Sequence, residues 1–269
     1  MEEIREKSIR LIIDTAIKSF ADGFELRHNA EACDPNGTIN SKKNNCFISV
    51  LGDEFVFYSA FVRSFDSSFG NLLENIGNQV AKFSYKTNKI IQSYILTEQT
   101  QHIGNLTDKY EDHICKPEKA HYENYFVVQP KDITSFRTHH VCDNWFYDEN
   151  KKTHYLVELK AGGDLDNKKA KSEKIALLKE YFMLKNAVSS DEKIYIYFAT
   201  AYNKFGENNV WHQANVERFF SADELLIGKD YWNFVCNDDN GFNTVFEQYK
   251  QSARYIKEAL IRIRKRYGC

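Results

Sequence analysis

Proline is nearly absent from this chain, three residues in 269, and no stretch rich in Gly, Pro or Ser interrupts it. With no linker to divide it, the chain is expected to fold as one unit, long enough to bury a substantial core. No apolar run approaches the ~18 residues that a membrane span requires, so no spanning helix is expected. The six cysteines, Cys33, Cys46, Cys115, Cys142, Cys236 and Cys269, form no CxxC pair and no zinc-ligand spacing. With no leader pattern at the N-terminus, they are expected to be reduced thiols of a cytoplasmic protein. Net charge is −2, so no global basic field advertises a nucleic acid or a membrane, although a basic groove can sit on an acidic protein. Repeats and low-complexity segments are also missing. The adjacent His139 and His140 would point to opposite faces of a strand, which makes them a poor metal pair.

What is present is ordinary globular composition, 42% hydrophobic and 28% charged. Ile9, Ile12, Ile13, Ala16, Ile17 and Phe20 recur at helical spacing, and Gly23 reads as a stop signal. Residues 34–37, DPNG, make a turn in a polar loop running to about 45. A second stripe, Phe57, Phe61, Phe65, Phe69, Leu72, Leu73, Ile76, Val80 and Phe83, predicts one long core-facing helix or two joined near Gly70. Strand-like patterns then occupy residues 125–130, 139–147 and 153–161. A helix with Ile175, Leu177, Leu178, Tyr181, Phe182 and Leu184 follows, then a strand over 193–201. Ser221 with Glu224 forms a capping box, and a last helix runs from about 242 to 266. This order predicts an α/β fold, a mixed central β-sheet flanked by helices. Within a single domain, 1–269, it suggests a helical N-terminal part (about 1–110), an α/β core (about 120–205) and a C-terminal helical part (about 213–269).

Two of the strands flank residues 148–152, DENKK, which have turn composition. An unbulged hairpin closed by Asp148 and Thr153 sets Asp143 opposite Glu158. Directly opposed side chains share a face, with Cβ atoms about 5 Å apart. Lys160, two residues on, joins that face, while Tyr155, Val157 and Leu159 suit the core on the other. Two carboxylates held so closely repel, and a shared proton or a bound cation relieves them. Oxygen donors without His or Cys suit Mg²⁺, which completes its shell with water and phosphate. Lys160 beside them could orient a water or stabilise charge on a phosphate. The plainer reading is an exposed strand whose Glu158 and Lys160 form a weak surface pair. Against it stand Asp143 at hairpin distance and the glycine-containing, then basic, segment GGDLDNKKAKSEK. That segment places Lys168, Lys169, Lys171 and Lys174 on the next helix.

Asp143 with Glu158, Leu159 and Lys160, in the pattern D-x(14)-E-L-K, resembles the active-site signature of the PD-(D/E)xK nuclease superfamily. ELKAGGDLDNKKAKSEK (158–174) and FYSAFVRSFDSSFGNLLE (57–74) resemble a family of type II restriction endonucleases, over roughly residues 57–184. Cys142 stands where the signature has proline. The resemblance implies a restriction-endonuclease-like core that cleaves double-stranded DNA at a short specific site with Mg²⁺ and leaves 5′-phosphates. It implies a homodimer and a cognate DNA methyltransferase that protects the host. Some relatives read GGNCC-type sites. Asp143, Glu158 and the Leu159 carbonyl would hold the metal, Lys160 would position the water, and the helical acid Glu74 would add to the site. A repair or structure-specific nuclease of the same superfamily, and a non-catalytic DNA-binding module, are the rival readings.

Further DNA contacts are expected from Lys168, Lys169 and Lys171, from Arg137 with His139 and His140, and from Ser67, near Arg63, Asp66 and Ser68. Each has a plainer alternative: a solvated helix face, satisfied histidines, or serines bonded to their own backbone. The terminal RIRKRYGC is a second phosphate-contacting patch or a basic tail. Residues 201–213, AYNKFGENNVWHQ, form a loop whose Asn, Gln, Lys and His suit base-edge reading.

Overall fold

Ile9, Ile13, Ala16, Ile17, Ala21 and Phe24 line the buried side of a single helix, α1 (Glu3–Glu31). A computed structural model describes residues 1–126 and 138–268, with the backbone alone for Thr138, His139 and Asp143. Helix α1 runs straight through Gly23, where a stop was expected. Phe24 and His28 extend the buried stripe beyond it, and their burial outweighs the ~1 kcal/mol that glycine costs inside a helix. After α2 (Cys46–Ser49) comes α3 (Asp53–Ala81), one continuous helix through Gly70. The chain continues with β1 (Lys86–Ser93), α4 (Thr97–Glu111), α5 (Ala120–Glu123), β2 (Thr138–Asp148) and β3 (Thr153–Lys160). Then come α6 (Asn167–Lys185), β4 (Lys193–Thr200), α7 (Ala214–Glu217), β5 (Leu225–Ile227), α8 (Lys229–Cys236) and α9 (Gly241–Arg266). Tyr125 and Phe126 lie in no strand, and the rest of the strand expected over 125–130 falls outside the described residues.

The backbone divides into two compact units, Met1–Val80 with Asn243–Cys269, and Ala81–Phe242. The first is helical. The phenylalanine stripe of α3 meets α1 ring to ring: Phe24 contacts Phe61 and Phe65 at 5.7 Å between centroids. Ile263 of α9 joins that core with Phe24, Ile39 and Phe57. Polar contacts fix the helix pairing, with Arg262 forked onto Glu25 at 2.8 Å through two nitrogens. Ser252 donates to Asp14 at 2.6 Å. Part of the terminal basic segment is therefore packing: Ile263 is fully buried, and Tyr267 donates to the His28 carbonyl.

The second unit carries a mixed sheet, five strands among the described residues, in the order β1-β2-β3-β4-β5. β1, β2 and β3 are antiparallel neighbours; β3, β4 and β5 are parallel. Parallel pairing demands a crossover, and α6 supplies it between β3 and β4. Helix α6 packs across β1, β3 and β4 and against α4, burying Leu177, Leu178 and Phe182 with Ile91, Leu156, Ile196 and Phe198. The opposite face is aromatic: Tyr155 packs against Tyr85, Tyr195, Tyr197 and Phe234. Strand β3 is thus covered on both faces. Leu156, on the face expected to be open, is fully buried. In the turn after β2, the Asp148 carboxylate accepts from the Asn150 and Lys151 amides at 3.0 and 3.1 Å. Lys152 takes φ +48°.

Candidate active site

The hairpin has the register that its turn composition predicts. Asp148 pairs with Thr153, Tyr147 with His154, Phe146 with Tyr155, Trp145 with Leu156 and Asn144 with Val157. Continued by one further pair, the same register would set the Asp143 backbone across from Glu158. On its other edge β2 is irregular. Asn88 of β1 faces Trp145 but Ile90 faces Val141, so Cys142, Asp143 and Asn144 are opposed by Lys89 alone. Two extra residues therefore bulge from β2 at Asp143. Bulges of this kind bend a strand and re-aim its side chains, and they recur beside active sites. Asn144 is buried and its amide donates to the Val157 carbonyl at 3.1 Å, which ties the bulge to β3. The Asp143 carboxylate lies outside the described atoms.

Glu158 and Lys160 do share a face and touch: Nζ of Lys160 is 2.5 Å from Oε1 of Glu158. The Glu158 side chain is 11% exposed and that of Lys160 32%, so the pair sits at the edge of the core rather than on an open surface. A third group completes it. Glu173, on the second turn of α6, places Oε1 3.0 Å from the same Nζ. Burial on its own pulls the Lys160 ammonium down, but Glu158 and then Glu173 more than offset it and hold the group above the ordinary lysine range. Lys160 therefore carries its full positive charge at neutral pH. The plainer reading of a weak exposed pair does not describe this geometry.

The loop after β3 brings α6 to this point. Gly163 has φ +69°, and a Cβ there would lie 2.6 Å from Cγ2 of Thr200, so this glycine serves shape rather than flexibility. Asp166 caps α6 by accepting from the Lys169 amide at 2.8 Å. Arg218 donates to the Asn167 side chain at 2.9 Å. Sequence reasoning missed Glu173, although its spacing from Ala170 and Leu177, both buried on the sheet side of α6, was the available signal.

The expected phosphate-contacting lysines separate. Lys168 and Lys169 are exposed. Lys171 is held by Asp108 at 2.6 Å and by Glu111, which ties α6 to α4. Lys174, grouped with them on sequence, is fully buried against Glu224, because it falls within the apolar stripe of Ala170, Leu177 and Leu178. His140 pairs with Glu180 at 3.1 Å; Arg137 and the His139 side chain lie outside the described residues. In the loop 201–213, Asn203 donates to the Asn209 carbonyl and Gln213 to Asp164. These two shape the loop, whereas Tyr202, Phe205 and Val210 are exposed. In the helical unit, Ser67 is exposed on α3 and Glu74 is half-buried. Ser68 and Ser64 there accept from Arg27 at 3.2 and 2.9 Å.

Glu158 offers a carboxylate at the end of β3, and the Leu159 carbonyl lies beside it in sequence. This is a hard, all-oxygen donor set of the kind Mg²⁺ takes. Among the described residues no three His, Cys, Asp or Glu side chains form a metal cluster.

The model of the family described as type II restriction endonuclease, HinfI, matches residues 5–253. The chain belongs to the HinfI family of type II restriction endonucleases. No curated protein and no solved structure significantly matches it. As a HinfI-family enzyme it is a site-specific deoxyribonuclease acting on double-stranded DNA. Type II restriction endonucleases generally use divalent metal ions. The HinfI-family match takes in most of each compact unit, and the mixed sheet with flanking helices fits a restriction-endonuclease-like core. No described helix of this HinfI-family chain is long and apolar enough to cross a membrane.

Proposed function

We propose that this restriction endonuclease hydrolyses DNA at the β2–β3 hairpin, with Mg²⁺ held by Asp143, Glu158 and the Leu159 carbonyl. The observation that carries the proposal is the contact of Lys160 with Glu158 beside the bulge that β2 makes at Asp143. When bound, Mg²⁺ supplies positive charge against the phosphate under attack and lowers the pKa of a neighbouring water. Lys160, charged and only partly exposed, donates hydrogen bonds to the attacking water and to the phosphate oxygens. Attack at phosphorus then leaves a 5′-phosphate and a 3′-hydroxyl. Ser67, Lys168, Lys169, Lys171 and Arg137 contribute backbone contacts, which position the duplex without reading its sequence.

The same proposal takes residues 1–269 as one nuclease domain, which the span of the family match supports. It also includes cytoplasmic function as a homodimer, with a cognate methyltransferase protecting the host's own sites. Digestion of unmethylated plasmid with Mg²⁺, with Mn²⁺ and in EDTA tests it. Discrete fragments with ligatable 5′-phosphates are expected with either metal, and none in EDTA. End-sequencing of those fragments reads the recognition sequence, for which the resemblance offers a GGNCC-type site. Undiminished cleavage in EDTA would overturn the metal site.

A further inference from the structure

Glu158 and Lys160 meet because a strand has period two; nothing else in the fold is needed. Glu173 is different. It comes from another element, and its Oε1 reaches within 3.0 Å of Nζ of Lys160 only because the loop after β3 and the start of α6 are fixed. The positive φ of Gly163, the Asp166 cap and the Arg218–Asn167 hydrogen bond all hold that segment. One carboxylate on the lysine's own strand leaves a four-carbon side chain free to swing. A second carboxylate, projecting from the covering helix, defines where the ammonium sits. The Glu173 side chain is 23% exposed, so the contact lies at the rim of the core, next to the solvent from which substrate arrives.

We propose that Glu173 is a positioning residue for cleavage, holding the Lys160 ammonium in place from the α6 side while Glu158 engages other groups. The inference rests on Lys160 being the lysine of the cleavage site. Glu173 needs no contact with DNA or with the reacting atoms; it acts through Lys160. Lys160 is tied to both acids in the free protein, so losing Glu173 leaves it with Glu158 alone and widens the positions that it samples. Misplacement of a group that acts in the transition state lowers the chemical rate while leaving DNA affinity nearly unchanged.

The test uses the full-length protein as wild type, Glu173→Gln, Glu173→Ala, Lys160→Ala and the double variant Lys160→Ala with Glu173→Ala. Three quantities are read: single-turnover cleavage of unmethylated plasmid with Mg²⁺, metal-free affinity for a fragment spanning the cut site, and thermal melting. Glu173→Ala is expected to slow cleavage about 10- to 100-fold, up to the loss that a misplacement of roughly 1 Å brings. Affinity and melting should stay close to wild type. Glu173→Gln, which keeps an acceptor oxygen but no charge, should fall between. In the Lys160→Ala background, removing Glu173 should cost nothing further. Should Glu173→Ala melt early, the isosteric Gln variant decides the matter. Wild-type cleavage by both Glu173 variants beside a slow Lys160→Ala overturns the inference and leaves the cleavage site standing. Multiplying losses in the double variant also overturn it, because Glu173 would then act elsewhere. Wild-type cleavage by Lys160→Ala removes the cleavage site itself.

Discussion

Nζ of Lys174 lies 2.6 Å from Oε1 of Glu224, and neither side chain reaches solvent. The hydroxyl of Tyr122 donates to the same carboxylate oxygen at 2.7 Å. The other oxygen accepts from the amide and hydroxyl of Ser221, each at 2.9 Å. The capping box read from sequence is thus real, but its acid also neutralises a lysine inside the core. Burial pulls the Lys174 ammonium down and Glu224 pulls it back up.

Breaking one side of this network should be costly. Lys174→Ala leaves the carboxylate without its counter-charge, and about 3–5 kcal/mol of stability should go with it. Lys174→Met combined with Glu224→Gln removes both charges, keeps one acceptor oxygen for the Ser221 amide, and leaves the Gln NH2 to donate to the Tyr122 hydroxyl, which can turn to accept. It should recover most of that loss. Urea unfolding of the two variants decides it: equal midpoints for wild type and Lys174→Ala would show that the pair adds no stability.

Acid should weaken the fold through the buried His28 and the half-buried His102. His28 sits in the helical unit, 3.2 Å from the Ser64 hydroxyl. Burial, then the nearby Arg27, lowers its pKa. His102, stacked on Tyr125 at 3.7 Å between centroids, is lowered chiefly by burial. Both remain neutral in the folded chain where the unfolded chain already takes up protons. Their contribution is therefore complete above the unfolded value of about 6.5. It is lost as the pH falls from there through the depressed folded values. Melting temperature should decline on the acid side of that point, and His28→Gln should soften the decline. A melting temperature flat from pH 7 to well below 6 would contradict this.

Removing the proposed catalytic charges should separate chemistry from stability. Glu158→Gln keeps the side-chain shape, and Lys160→Ala removes the ammonium; each should cut cleavage by orders of magnitude, since each acts mostly in the transition state. Lys160→Ala should still bind its specific site. A simple surface ion pair would instead cost at most about 1 kcal/mol and no activity. Plasmid cleavage and melting, measured on the same preparations, distinguish the two outcomes.

The lysines of α6 should differ in what their loss does. Lys168 is exposed, and Lys168→Ala should weaken DNA binding evenly across sequences and reduce the salt dependence by about one phosphate contact. Lys171 is already held by Asp108 and Glu111, so Lys171→Ala should change the salt slope less. Affinity measured across a range of salt concentrations tests both. A larger slope change for Lys171→Ala would show that DNA displaces its acidic partners.

The hairpin was legible because a short polar turn between two apolar strands determines which residues oppose, and Asp148 with Thr153 closes it as expected. Strand β1 was not legible. Among the described residues it is an edge strand, of composition KTNKIIQS with only Ile91 and Ser93 buried, so it shows no clean alternation. The bulge in β2 was hidden with it, because a bulge is defined by the partner strand. Gly23 misled for the opposite reason: a local stop signal yielded to a buried stripe that resumes at Phe24. Lys174 and Glu173 are adjacent residues whose charges suggested a solvated face. Their spacing from Ala170 and Leu177 turned one into the core and the other toward Lys160.

The parallel pairing of β3 with β4 also bears on how the molecule folds. Glu158, Lys160 and Glu173 all lie on one strand-crossover-strand segment, so their meeting requires the closure of only a short loop, and short loops lose little chain entropy on closing. Contacts of low sequence separation form early. The lysine and its two acids should therefore come together before the distant chain ends, α1 and α9, find each other. Pulse-labelling hydrogen exchange during refolding should show amides of β3 and the first turns of α6 protected ahead of those in α1.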